Sequence, residues 1–246
     1  MATDSADMTP LADCSKCGYR ENLLPAGACK PGDCCIVANS GRQIDRFFRA
    51  NPGLAANYCQ DSFWERRAIA ARYVPTSQLQ VMLSDADEAV RRVLAYRVPL
   101  EWLINLRHDT DREVRITVAD RLPEHELELM VQDPDYLVRA YVAKRLPEGR
   151  LFRLVTDPDN EVRRTVAERL PTVSLGLMAN DPEISIRRIV AQRIDVDELG
   201  LLADDADWTV RYEVALRALP DLLQQLQHDA EEDVRMVAQQ RYEELG

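Results

Sequence analysis

Asp157-Pro158-Asp159-Asn160-Glu161-Val162-Arg163-Arg164-Thr165-Val166-Ala167-Glu168-Arg169-Leu170-Pro171 reads as one helix with its punctuation. Asp157 is an N-cap residue, Pro158 suits the first helical position, and Asp159 complements the positive end of the helix dipole. The helix is expected to run to Leu170, where Pro171 stops it. At about 1.5 Å per residue, about twelve residues give a rod of roughly 18 Å. Val162, Val166 and Leu170 recur at i, i+4 and i+8 and make an apolar stripe. Arg163 and Arg169 fall on its two flanks and so border the core. Asp159 precedes Arg163 by four residues, the favourable acid-first order for an ion pair, and Asp135/Arg139 and Asp207/Arg211 repeat it.

The same text returns along the chain. A Val/Ile-Arg pair ends at Arg91, Arg115, Arg139, Arg163, Arg187, Arg211 and Arg235, and a degenerate copy is read at Arg66. A second arginine follows six residues later, from Arg72 and Arg97 to Arg217 and Arg241. Six residues before the regular copies stands an aspartate: Asp85, Asp109, Asp133, Asp157, Asp181, Asp205 and Asp229. The period is 24 residues, and three columns in phase define about eight repeats over residues 61–246. Between one proline and the next aspartate, Leu127/Met130 and Leu151/Leu154 put two apolar groups on one side of a short helical turn, α or 3₁₀. A single repeat cannot bury its stripe, so burial has to come from stacking repeat on repeat. Asp195 and Leu219 replace the stop proline, Ala238 replaces a stripe valine, and Gln239, Gln240, Glu243 and Glu244 read as a polar cap.

The strand signature of leucine-rich repeats is absent from this period. The pattern D-P-D-x-x-V-R-x-x-V-A-x-R-L-P in residues 133–147 and 157–171 resembles the leucine-rich repeat variant family. The resemblance covers about three quarters of the chain. It implies an all-α fold without sheet, a right-handed superhelical solenoid of alternating α and short 3₁₀ helices.

Residues 1–60 differ. All six cysteines lie there: Cys14, Cys17, Cys29, Cys34, Cys35 and Cys59. The first thirteen residues are polar and acidic, with neither basic nor apolar signal regions. The expectation is therefore a cytoplasmic chain whose clustered thiols bind metal rather than form disulfides. Cys14-x-x-Cys17 places two thiolates on one tight loop. The later thiols, at 29, 34 and 35, have a spacing that fits a four-cysteine [4Fe–4S] cluster better than the paired knuckles of tetrahedral zinc, with zinc kept as the alternative. With Leu23–Gly27 before Cys29 and residues 40–49 after, the pattern is similar to the iron–sulfur cap found joined to such repeats. The resemblance implies a [4Fe–4S] cluster held by Cys14, Cys17, Cys29 and either Cys35 or Cys34, leaning to Cys35. Cys59 reads as a buried small hydrophobe. Ile44, Phe47 and Phe48, at helical spacing, read as a lid over the first repeat.

No nucleotide-binding, hydrolase or metalloprotease motif occurs, and the three histidines, His108, His125 and His228, read as exposed loop residues. Nothing supports an enzyme. Lys+Arg 31 against Asp+Glu 42 gives a net charge of −11, which disfavours nucleic acid and anionic membrane as partners. The arginine columns read as structural, each pairing with an aspartate of its own or the adjacent repeat, rather than as an anion groove. The expected role is a protein-interaction scaffold carrying a redox-sensitive cluster, with electron transfer and, behind it, nucleic-acid binding as the alternatives. The resembled family is met in nitrogen-fixing bacteria, which implies a partner linked to nitrogen fixation.

Overall fold

From Asp85 onward each repeat begins with two acidic positions two residues apart, and they do different work. In a computed structural model that describes residues 13–245, Asp157 accepts the N–H of Asp159 (2.9 Å), and Asp159 accepts the N–H of Glu161 (2.9 Å). Asp159 is thus the N-cap and the helix starts at Asn160, two residues later than the first aspartate suggests. Pro158 lies in the turn before the helix. Asp87, Asp111, Asp135 and Asp207 cap in the same way, each contributing about 1 kcal/mol. Freed from capping, the leading aspartate faces the repeat before it.

The α helices are α1 (Gly41–Ala50), α2 (Trp64–Ala70), α3 (Glu88–Arg97), α4 (Leu100–Leu103), α5 (Arg112–Arg121), α6 (Tyr136–Arg145), α7 (Asn160–Arg169), α8 (Ile184–Arg193), α9 (Trp208–Ala215), α10 (Pro220–Leu226) and α11 (Glu232–Leu245). Between them run 3₁₀ helices such as Glu124–Met130, Glu148–Leu154 and Thr172–Met178. The short element at 220–226 is α-helical instead. The described residues contain no strand, only an isolated bridge between Lys30 and Cys34. No helix among them is long and apolar enough to cross a membrane.

The chain divides into two compact units, residues 1–122 and 123–246. In the second, α6 rests on α7, α7 on α8, and α8 on α9. Val162, Val166, Ala167 and Leu170 of α7, with Leu151, Leu154, Leu175 and Met178 of the 3₁₀ helices, are at most 2 % exposed. Fully burying each such large side chain favours folding by about 1.5–3 kcal/mol. Ala238, at a stripe valine position, is fully buried in α11, whose Gln239, Gln240, Glu243 and Glu244 face solvent. In the first unit, α1, α2 and α3 stack in order, and α5 lies against α3.

Both arginine columns bind across repeats. Arg139 grips Asp157 with Nε at 2.7 Å and Nη2 at 2.8 Å. Its Nη1 donates to the carbonyl of Asp133 in its own repeat at 2.8 Å. Arg163–Asp181, Arg187–Asp205 and Arg211–Asp229 repeat this in the second unit, and Arg91–Asp109 in the first. Arg163 and Arg211 do not take the acid-first partners Asp159 and Asp207. Asp135, Asp159 and Asp207 are occupied as caps, while the arginines reach 18 residues ahead. The second arginines point backwards: Arg169 donates to Ala143 O (2.5 Å) and Leu146 O (3.0 Å), and Arg217 to Ala191 O (2.6 Å) and Ile194 O (2.7 Å). These carbonyls end the preceding helix, where no intrahelical donor remains, and a cation there also meets the negative end of the dipole.

The first repeat is more regular than its sequence suggests. Arg67, not Arg66, occupies the ladder position. It grips Asp85 at 2.7 and 2.8 Å and donates to Asp61 O, so the 24-residue phase begins at Asp61. Arg66 binds Asp61 instead. The second-column position falls on Tyr73, not Arg72, and its hydroxyl donates to Asp45 at 3.0 Å. The missing Val-Arg pair hid this phase.

Asp157→Ala leaves the buried Arg139 guanidinium without its carboxylate, and should cost about 3–5 kcal/mol in urea unfolding. Asp197→Ala, on the surface, should change stability by less than about 0.5 kcal/mol. Equal losses would show that the ladder is not a special constraint. Acid should also unfold the protein. Burial pushes the carboxyls of Asp85, Asp109 and Asp205 up, but Arg67, Arg91 and Arg187 outweigh it and hold them below the ordinary range, while Arg211 holds Asp229 down. A depressed folded pKa stabilises above the unfolded value of about 4 and is lost as pH falls through the folded value. Urea stability should therefore be level from neutrality to about pH 4 and fall steeply below it.

Candidate metal centre

The cysteine-bearing loops precede α1. Asp13 accepts the N–H of Ser15 (2.8 Å) and starts a 3₁₀ turn, Cys14–Lys16. The turn closes with Cys17 N–H donating to Cys14 O at 3.2 Å. A spacing of three residues in a 3₁₀ turn puts Cys14 and Cys17 on the same side. The chain then reverses at Gly27 (φ 68°) and again at Gly32 (φ 77°), both left-handed positions that favour glycine. Around Pro31–Gly32–Asp33, Lys30 and Cys34 exchange N–H and carbonyl groups at 2.7 and 2.8 Å. This tight turn brings Cys34 and Cys35 back beside the Cys29 segment.

Cys14, Cys17, Cys29, Cys34 and Cys35 line one cavity, walled by apolar groups including Leu24, Ile36 and Phe47. Cys35 is 5 % exposed. Burial pushes the thiols of Cys29, Cys34 and Cys35 up. Cys29 also feels the other four thiols, and Cys35 feels Cys14 and Cys17. Cys34 feels Asp33 and Cys35, and its Sγ is directed at Ala28 O, 3.7 Å away. Cys34 therefore borders the cavity with its thiol directed at a backbone carbonyl.

The donor set matches an iron–sulfur cluster: thiols alone, in an apolar cavity. Tetrahedral zinc needs all four thiolates within about 2.3 Å of one point. A cluster takes its thiolates at separate irons, which are further apart. Cys59 lies elsewhere, buried, with its Sγ directed at Ala55 O. The three histidines are exposed.

Helix α1 carries the cavity on one side and the repeats on the other. Ile44, Phe47 and Phe48 are fully buried. Phe47 lies 5.7 Å from both Tyr19 and Phe48, and Phe48 reaches Tyr58 (5.4 Å) and Tyr73 (6.0 Å), forming an aromatic chain from cavity wall to first repeat. Gln43 and Asn51 were invisible as site residues in the sequence, because a polar residue beside an apolar stripe reads as surface. In the fold both donate to carbonyls of the cysteine loop.

Each unit also has a groove along one face of its α helices. In the first, about 820 Å³ lies among α1, α2, α3 and the start of α5, with Trp64, Tyr96, Arg42, Arg92 and Glu65 on its walls. In the second, about 490 Å³ lies among α8, α9 and α11, with Trp208, Tyr212, Met236 and Arg188. Glu213 is buried beneath it, accepting from Arg188 and Gln192 at 2.7 Å each. Trp64 and Trp208 stand at the same repeat position, three residues after Asp61 and Asp205.

Residues 10–57 match the family described as LRV protein FeS4 cluster, and residues 112–135 and 136–159 match the leucine rich repeat variant. A solved structure described as a leucine-rich repeat variant with a novel repetitive protein structural motif is 54 % identical, with a TM-score of 0.85, and the alignment covers 95 % of this chain and 100 % of that one. A Rhodobacter capsulatus protein described as an uncharacterized 27.7 kDa protein in the nifB 3′ region is 38 % identical over 85 residues. That match spans about a third of either protein, 35 % of this chain and 34 % of the relative. On the near full-length match and the two repeat matches, the chain belongs to the leucine-rich repeat variant family.

Proposed function

We propose that this protein is a non-enzymatic interaction scaffold whose N-terminal segment holds a [4Fe–4S] cluster through Cys14, Cys17, Cys29 and Cys35. The observation that carries the cofactor reading is the apolar cavity shared by five thiols. Cys35 is preferred to Cys34 because it lines the cavity 5 % exposed, whereas the Cys34 Sγ is directed at Ala28 O. When bound, such a cluster supplies a one-electron redox centre and ties the two cysteine segments together. The protein supplies the thiolates and an apolar wall that limits water.

The scaffold reading rests on which surfaces repeat and which do not. The ladder arginines and their aspartates recur because they hold repeats together, and their hydrogen-bonding groups are engaged. The groove faces vary from repeat to repeat and expose Trp64, Tyr96, Trp208 and Met236, which are 39–61 % accessible. Large aromatic and methionine side chains at a groove are the composition of protein interfaces. The arginines that a nucleic-acid groove would use are largely consumed: Arg97, Arg121, Arg169, Arg193 and Arg217 bind backbone carbonyls. The nifB-region relative supports a partner connected with nitrogen fixation, and the cluster would make that association respond to oxidation. The cytoplasm is the compartment in which unpaired thiols and such a cluster persist.

Two measurements test this reading. Cys14→Ser and Cys35→Ser should abolish the visible cluster absorbance and lower bound iron, whereas Cys34→Ser should leave both largely intact. Unchanged iron in Cys35→Ser would reverse the choice of fourth ligand, and unchanged iron in Cys14→Ser would end the cluster assignment. Affinity capture from native cells, with and without oxygen, should recover a protein partner that Trp208→Ala or Met236→Ala no longer recovers. Recovery unaffected by either change, or by oxygen, argues against the groove and the redox dependence respectively.

A further inference from the structure

Two amide side chains of α1 hold the loop that carries Cys29, one at each end. Gln43, in the first turn of α1 and 3 % exposed, donates from Nε2 to Gly32 O at 3.2 Å, and its own carbonyl accepts the N–H of Cys35 at 3.1 Å. Asn51, the C-cap of α1, donates from Nδ2 to Ala28 O at 2.8 Å and to Phe47 O at 3.0 Å. Ala28 precedes Cys29 directly, and Gly32 is the left-handed residue at the tip of the turn between Cys29 and Cys35. The eight residues from Gln43 to Asn51 span about 12 Å of helix, so the loop is pinned at two separated points on a rigid rod. Arg46 pairs with Asp33 nearby, but both are about half exposed, and water screens the pair.

Gln43 carries a penalty that a purely structural residue would avoid. Among the described residues its Oε1 is buried without a hydrogen-bond partner. An apolar side chain of similar volume would fill the site without leaving a desolvated oxygen. The benefit that offsets this penalty is the bond to Gly32 O, which helps set the spacing between Cys29 and Cys35. We infer that Gln43 and Asn51 are positioning residues for the cluster, pinning the Cys29–Cys35 loop to α1 so that its thiols are held at cluster spacing. This rests on the cluster reading above. Because α1 also covers the first repeat through Phe48 and Tyr73, the same helix ties the thiol loop to the repeat stack.

The test uses the full-length protein, loaded anaerobically with iron and sulfide and then exposed to a ferrous chelator. Gln43→Met and Asn51→Ala should each load normally but release iron about fivefold faster than wild type, the factor expected for one lost hydrogen bond of ordinary strength. Far-UV circular dichroism and the melting of the unloaded repeats should be unchanged in Gln43→Met. Arg46→Ala should release iron at the wild-type rate. Release from both amide variants at the wild-type rate overturns the inference, as does an equal acceleration in Arg46→Ala. A Gln43→Met that melts early shifts the decision to Asn51→Ala, measured the same way. A wild type that takes up no iron overturns the cluster reading itself, and with it this inference.

Discussion

Within each unit the guanidinium of a ladder arginine lies between two repeats, and the stack depends on that contact. Arg163 binds the Asp181 carboxylate of the next repeat through two nitrogens and the Asp157 carbonyl of its own through a third. The planar fork of arginine suits this double duty, and lysine could not reproduce it. Removing the two charges from water offsets most of their attraction, so the pair adds less net stability than its geometry suggests. Its effect is on register. Apolar stripes of valine, alanine and leucine would tolerate sliding or rotation between repeats, whereas a bidentate pair at 2.6–3.1 Å does not.

The second arginine column has the complementary task. A helix of ten residues leaves its last carbonyls unpaired, and repeats of this length place such an end next to every neighbour. Arg169 closes the end of α6 and Arg217 the end of α8. Within each unit, successive repeats are thus tied forward by one arginine and backward by the other, with no side chain spent on the groove face. That face is left free to differ. Glu213, buried and held by Arg188 and Gln192, stands where other repeats have valine, isoleucine, threonine or tyrosine.

At the N-terminal end, α1 performs the work of a terminal cap and of a platform. Its apolar face, with Phe47 and Phe48, covers the first repeat, while its polar groups hold the cysteine loop. The metal-binding segment and the repeats therefore share one helix. A loop of Pro, Gly and Cys residues has little apolar area of its own, and the helix supplies the rigidity that the loop lacks.

Much of this was readable before any coordinates. A 24-residue recurrence of Asp, Val-Arg, Ala and Arg could be satisfied only by helices buried against their neighbours, because no single repeat can cover its own stripe. The five clustered cysteines likewise announced a thiolate site, since their identity and spacing are local properties. Partner choice was not readable. The sequence reads Asp157 as the cap, and only the approach of Arg139 from the preceding repeat assigns it to the ladder and leaves the cap to Asp159. Arg66 and Arg67 look interchangeable until Asp85 selects Arg67. Gln43 and Asn51 look like surface residues until the cysteine loop folds onto them. Periodicity and ligand chemistry are carried by the residues themselves, so the sequence determined repeat, helix and thiol set. Which donor meets which acceptor depends on groups brought together from 18 or more positions away, and only the folded chain decided that.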